Sequence, residues 1–397
     1  MDKIELLSPA GDLERLKVTL LYGADAVYIG GEIGSLRANA INFTIPEIKE
    51  GCSFAHQLKK KVYLTLNIVF HNEEIAEIED YIEKVVEAGI DAFIVSDPFI
   101  ISYLVQHYPQ VEVHLSTQNS TSNYKACEYF LDEGVKRIVL ARELSKQEIE
   151  EIIQKTKCDI EVFIHGAMCT CFSGRCALSN YVTGRDANRG GCAQVCRFSF
   201  ESPEEKDFTM ALKDMNMATY IGDLIDIGVK SLKVEGRMRS LYYLATVIGT
   251  YRNIIDDYYS DSLTIDKMRV YQKRLDEVAN RETSSHYFMR EANYEDQYFT
   301  GRVEVSNQDY LGQVISYENH LIQFYERNYF EQGDLVEVFT PEGIHLEFSV
   351  EKLYNEKKEE VDVARHPDQI YYLEYSTDEK IPEYSMIKIV KRKKERK

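Results

Sequence analysis

Short apolar runs rich in β-branched residues alternate with stretches of helical period through the first 240 residues. The runs are IELLSPA (4–10), AVYIGG (26–31), VYLTLNIVF (62–70), AFIVSD (92–97), VEVHLST (111–117), RIVLAR (137–142), IEVFIHGA (160–167) and SLKVEG (231–236). Between them, residues 12–22, 73–88, 123–133 and 145–155 carry apolar positions three and four apart. Glycine-bearing turns at 23–25, 88–91, 133–137 and 227–231 supply the left-handed residue that ends a helix. Eight strands alternating with helices predict an α/β fold, a (β/α)8 TIM-like barrel. No G-x-G-x-x-G follows the first strand, which argues against a doubly wound sheet.

Beyond the eighth strand, 239–259 reads as a long final helix and 265–280 as a second. From residue 298 the pattern changes to short strands with turn signals roughly every ten residues: 301–307, 310–318, 321–328, 334–343, 345–354 and 385–393. That spacing predicts a small C-terminal all-β barrel. The expected division is therefore a barrel domain over 1–285, with a cysteine-rich loop at 165–200, and a β-domain over 298–397.

At 397 residues, 44% hydrophobic and 28% charged, the chain has ample core for two soluble domains. Its opening residues lack the apolar segment of a secretory signal, and no run of 18 apolar residues occurs, so a cytoplasmic protein with no membrane partner is expected. A net charge of −19 argues against indiscriminate binding to nucleic acid. The last ten residues, KIVKRKKERK, run against that sign and form either a solvated end or an RNA contact.

Barrel enzymes work at the C-terminal ends of their strands. Those ends bring forward Ser8, Tyr28, Asn67, Asp97, His114, Ser116, Gln118, Arg142, Glu143, His165 to Cys169, Glu235 and Arg237. The stretch 161–197 holds five of the eight cysteines, Cys169, Cys171, Cys176, Cys192 and Cys196, interleaved with Arg175, Arg185 and Arg189. In a reducing compartment clustered thiols point to metal or redox chemistry rather than to disulfides. Cys192 and Cys196 could form one zinc knuckle, but Cys169 and Cys176 make a poor second, whereas iron–sulfur ligation tolerates wider spacing. Cys52, Cys127 and Cys158 lie in ordinary segments and read as inert buried thiols. His165, Glu235 and Arg237 are the candidate catalytic groups, and Arg175, Arg185, Arg189, His114 and Gln118 the candidate substrate-binding ones. Each has a quieter reading: His114 as a structural histidine, Glu235 and Arg237 as a simple pair two apart on a strand, Lys213–Asp214 as a helix start.

The stretches ELLSPAGDLERLKVTLLYGADAVYIGG, EVFIHGAMC with SGRCALS, NRGGCAQVCR and SLKVEGR resemble the collagenase-like peptidase family of "unknown catalytic type", over nearly the whole chain. RDANRGGCAQVCR and EGR resemble most closely the branch that hydroxylates tRNA, making 5-hydroxyuridine at the wobble position with prephenate as co-substrate. The resemblance implies a [4Fe–4S] cluster whose ligands, carried over by position, are Cys169, Cys176, Cys192 and Cys196, with Cys171 an additional thiol. It implies a tRNA anticodon loop as partner, met by the arginines of the cysteine stretch together with Arg237 and Arg239. Two other readings stand beside it: a collagenase-like peptidase, and a non-catalytic RNA-binding protein with a structural metal. No nucleophile elbow or H-E-x-x-H helix supports the first.

Overall fold

The computed structural model describes residues 3–36, 42–201, 208–279, 281–298 and 309–393. The chain divides into two compact units with the boundary between Glu304 and Val305. In the first unit the eight predicted runs all become parallel strands: β1 (Glu5–Pro9), β2 (Ala26–Gly30), β3 (Lys61–Leu66), β4 (Ala92–Val95), β5 (Glu112–Leu115), β6 (Arg137–Val139), β7 (Asp159–Gly166) and, after a short β8 (Asp214–Asn216), β9 (Ser231–Val234). Each pairs with the next, β7 pairs with β9, and β9 pairs with β1, so the sheet closes into an eight-stranded barrel. The strands read as near-continuous apolar runs because both faces are covered, one by the barrel core and one by helices; β2, for example, is buried throughout.

Helices α1 (Leu13–Leu21), α2 (Ile45–Gln57), α3 (Asn72–Glu87), α4 (Pro98–His107), α5 (Tyr124–Asp132) and α6 (Lys146–Thr156) follow the first six strands in turn. Their caps are local. Ser145 accepts from the Glu148 amide at 3.3 Å while Glu148 accepts from the Ser145 amide at 2.8 Å, a reciprocal capping box at the start of α6. Asp97 caps α4 by accepting from the Phe99 amide at 2.9 Å. The long chain between β7 and β9 carries α7 (Leu178–Thr183), β8 and α8 (Ile221–Asp226); α9 (Leu241–Tyr259) and α10 (Ile265–Val278) complete the unit.

One expectation is corrected. Lys213–Asp214 does not start a helix: Asp214 opens β8, which runs antiparallel to β7. The Asp214 carboxylate accepts from Arg239 at 2.8 Å and Arg281 at 2.7 Å, and its amide donates to the Glu282 carbonyl, so extended backbone is held from both sides.

The second unit is an antiparallel half-barrel. Its strands are β11 (Tyr310–Glu318), β12 (Leu321–Glu326), β14 (Leu335–Phe339), β15 (His345–Ser349), β16 (Leu353–Tyr354), β18 (Ile370–Glu374) and β19 (Met386–Lys391). They form one sheet in the order β15-β14-β19-β11-β12-β18-β16 over a core that includes Phe324, Phe330, Val336, Val338 and Leu373. Here β10 denotes Thr283–Ser284 in the first unit, and β13 (Phe330–Glu331) pairs with β17 (Val363–Ala364) in the second. The strand expected at 301–307 and residues 394–397 of the basic tail lie outside the described residues. Among the described residues no helix is long and apolar enough to cross a membrane.

Candidate active site: a thiol-lined cavity at the barrel mouth

The lower half of the barrel is filled by ions that satisfy one another. Glu161 of β7 is fully buried and accepts from Lys233 of β9 at 2.8 Å and from Arg137 of β6 at 3.3 Å. Glu5 of β1 also accepts from Arg137, and from the Tyr63 hydroxyl at 2.7 Å and the Ser231 hydroxyl at 2.8 Å. Burial alone would raise the Glu161 carboxyl, but Lys233, Arg137 and His114 bring it down to about 2. Such a network costs desolvation and is stable only while every member is present. Strand alternation explains it: Glu161 and Lys233 interrupt otherwise apolar strands at inward positions.

Above this network lies a cavity of about 410 Å³. The strand ends supply Tyr28, Thr65, Asn67, Ser116, Gln118, Arg142, Phe163, Lys233, Glu235 and Arg237 to its wall, and the insertion after β7 supplies the rest. Among the described residues four cations face it, Arg142, Arg197, Lys233 and Arg237, against the carboxylate of Glu235. The positions of three of these cations are tightly set. The Lys233 ammonium lies 4.5 Å from the Tyr28 ring centroid and 5.5 Å from that of Phe163. The Arg142 guanidinium stands 4.3 Å over Phe163 and donates to the Ala167 carbonyl at 2.9 Å. Arg237 donates to the Ser35 hydroxyl at 2.7 Å and to the Leu36 carbonyl. Gly30 makes room for it, since a Cβ there would sit 1.7 Å from the Arg237 Nη1. In a protein of net charge −19, this is a locally positive pocket.

All five cysteines of the insertion line the same cavity. Their loop is tied down at several points. Asn188 brackets Cys176, accepting from its amide at 3.1 Å and donating to its carbonyl at 2.9 Å. Glu143 accepts from the Ser173 hydroxyl at 2.6 Å, and the Thr170 hydroxyl donates to the Met210 carbonyl at 2.6 Å. Backbone amides point at sulfur: Leu178 N lies 3.3 Å from Cys176 Sγ and Gln194 N 3.4 Å from Cys192 Sγ. Burial raises the thiols of Cys169 and Cys196, and raises Cys171 to about 12 with the neighbouring Cys176 adding to the effect. Closely set thiols in such a place stay protonated until a metal centre displaces their protons.

This donor set fits an iron–sulfur cluster: several convergent thiols, amide N–H groups on the sulfurs, and flanking cations that offset thiolate charge. Among the described residues no three His, Cys, Asp or Glu side chains gather as a site for a single metal ion. The five thiols line one cavity together, and a multi-iron cluster spaces its ligands more widely than one tetrahedral zinc does. Cys171 lines the cavity and interacts directly with Cys176, so position does not separate it from the other four.

The structure places the remaining sequence candidates in several environments. Glu235, Arg237 and Gln118 line the cavity. Arg175 and Arg185 are exposed on the insertion, Arg175 donating to the Gln118 carbonyl at 2.7 Å. Arg189 is committed elsewhere, bonded to Glu73 at 2.9 Å, to Glu74 and to His71 of the α3 start. His114 points into the lower barrel, stacked edge-on against Tyr63 and 3.0 Å from Glu112. His165 turns outward, its Nδ1 3.1 Å from the Tyr251 hydroxyl of α9. A register shift in the β7–β9 pairing between Phe163 and His165 breaks the alternation that would have pointed both into the barrel. Burial lowers His165 to about 4, so it is neutral at pH 7. Among the described residues no histidine lines the cavity. The charged cavity residue absent from the sequence-based set is Lys233, whose signal is a lysine inside an apolar strand.

Comparison with known proteins fits this arrangement. The family model described as "Peptidase family U32" matches residues 11–298, and "Peptidase family U32 C-terminal domain" matches 306–388. The chain is similar to "tRNA hydroxylation protein P1" of Bacillus subtilis (strain 168), 43% identical over 97% of this chain and 94% of that one. It is similar to "23S rRNA 5-hydroxycytidine C2501 synthase" of Escherichia coli (strain K12), 38% identical over 64% of this chain and 39% of that one. It is also similar to "Collagenase" of Porphyromonas gingivalis, 31% identical over 81% of this chain and 82% of that one. With both domain models matched in order across barrel and half-barrel, the chain belongs to peptidase family U32.

Proposed function

We propose that this protein is an RNA hydroxylase, and more finely that it hydroxylates C5 of the wobble uridine of tRNA, depending on an iron–sulfur cluster and on prephenate as co-substrate. The observation that carries the reading is the cavity: five thiols and four cations converge at the mouth of a barrel, where barrel enzymes do their chemistry. The names of two relatives support the RNA substrate: one, aligned over nearly its whole length, acts on tRNA, and the other, aligned over part of its length, on a 5-hydroxylated ribosomal base.

The residues divide the work by chemistry. Cys169, Cys176, Cys192 and Cys196 would hold the cluster, which supplies electron-transfer or Lewis-acid chemistry when bound. Arg142, Arg237 and Lys233 give a dicarboxylate co-substrate the charge-assisted donors it requires; burial lowers the Lys233 ammonium, and Glu161, accepting from it below, opposes that shift. A base in a stacked helix cannot reach such a cavity, so the target must be an unpaired nucleotide such as those of the anticodon loop. Tyr28 and Phe163 keep part of the wall apolar, and among the described residues Glu235 is the carboxylate on the wall that could take part in proton transfer.

The collagenase relative motivates a peptidase reading. Against it, the loose acid–base candidates hold the fold together: Asp97 caps α4, His114 pairs with Glu112 in the lower barrel, and Glu143 anchors Ser173. Mass spectrometry of tRNA from a strain lacking the gene and any redundant paralogue tests the proposal. Loss of 5-hydroxyuridine and its derivatives is expected; unchanged levels would refute it.

A further inference from the structure

Three aromatic rings stand exposed on the cysteine insertion, and each is accompanied by an arginine. Phe172, 54% exposed, follows Cys171 and precedes Arg175 by three residues. Tyr181, 89% exposed on α7, precedes Arg185 by four. Phe198, 43% exposed, directly follows Arg197. Among the described residues none of these three arginines makes an ion pair, whereas Arg189 in the same loop is consumed by Glu73 and Glu74. Rings of this size cost free energy when left in water, and here they sit on a tied-down loop rather than on a loose end. The insertion that carries them also builds the cavity wall through Cys171, Cys176, Leu178, Ser179 and Cys196.

We propose that these aromatic–arginine couples form a clamp for the nucleotides that flank the target base. The rings stack unpaired bases and Arg175, Arg185 and Arg197 meet the adjoining phosphates. The inference rests on the RNA reading above and adds to it the surface that holds the strand. Stacking on an aromatic face with cations beside it is how proteins hold single-stranded nucleic acid without reading its sequence. The occupant is RNA because the charge beside these rings is positive on a chain of net charge −19. Continuity with the cavity places the clamp where a base drawn into the cavity would leave its neighbours unstacked. The clamp therefore demands a looped target, since a duplex offers no free base faces.

The test uses the full-length protein purified anaerobically, with iron content and circular dichroism matched across variants. The probe is an anticodon stem-loop RNA with 2-aminopurine beside the wobble position, whose fluorescence is quenched by stacking. Tyr181→Ala and Phe172→Ala should each weaken binding by about tenfold and reduce the quench, while Tyr181→Trp restores both. Arg175→Gln and Arg185→Gln should each lower the slope of log affinity against log salt by about 0.7. Tyr129→Ala, on the exposed face of α5, should change nothing. The same target sequence in a duplex should bind more weakly than in the loop. If the wild type hydroxylates tRNA but the ring variants bind the loop as it does, the clamp is refuted and the function stands. If the wild type neither binds nor hydroxylates tRNA, both are refuted.

Discussion

At the N-terminal end of the barrel interior, Glu5 and Glu161 face Arg137 and Lys233, two acids against two bases. At the C-terminal end, Arg142, Arg197, Lys233 and Arg237 line a cavity that, among the described residues, holds one carboxylate, Glu235. Lys233 belongs to both. The lower half is a closed account of charge, so it stabilises a fold and can do little else. The upper half gathers more positive than negative charge beside five thiols, a setting that suits an anion. The same contrast separates the cysteines. Cys52, Cys127 and Cys158 are buried apart from the cavity and burial pushes each up to about 12. The other five face one space together.

Four predictions sharpen the contrast, the largest effect first. Cys169→Ser, Cys176→Ser, Cys192→Ser and Cys196→Ser should each abolish iron binding and hydroxylation almost completely while the barrel still folds, read by iron and sulfide assay beside circular dichroism. Cys171→Ser should retain much of its iron; complete loss would move Cys171 among the ligands. In the lower half, Glu161→Gln leaves Lys233 and Arg137 without their shared acceptor and should cost about 3–5 kcal/mol in denaturant unfolding. The paired variant Glu161→Leu with Lys233→Met should cost less than the single change, because it removes the stranded charge.

The third prediction concerns pH. Burial lowers His165 from the ordinary 6.5 to about 4, among Tyr243, Tyr251, Asp214 and Arg239. Between those two values the unfolded chain binds the proton and the folded chain does not. Stability contributed by the neutral ring is therefore complete above pH 6.5 and is lost on acidification toward 4, by on the order of 3 kcal/mol. His165→Gln should flatten that part of the unfolding profile. Fourth and smallest, Cys127→Ser should behave as a packing change of about 1–2 kcal/mol with iron content unaltered.

The barrel was legible because its strands are buried on both faces and so appear as unbroken apolar runs, eight of which become barrel strands. α4 was harder to see: PFIISYLVQH is apolar nearly throughout and hides its helical period. β18 is hidden in the sequence because IYYLE has four apolar or aromatic residues in a row, although its burial alternates regularly in the fold. Within the site, cysteine density announced the insertion, but orientation was beyond the reach of sequence. A register shift of one residue sends His165 outward, and only the fold brings Glu73 and Glu74 to Arg189. Lys233 and Glu161 lie 72 residues apart and meet because β7 and β9 are neighbours across the barrel seam.

The measurement that bears most directly on the account is the 5-hydroxyuridine content of wobble-position tRNA, by mass spectrometry, in a strain lacking this gene and complemented with either the wild-type chain or Cys192→Ser. The account predicts that the wild type restores the modification and that Cys192→Ser, expressed and folded to the same level, does not. Full restoration by Cys192→Ser, or none by the wild type, would contradict it.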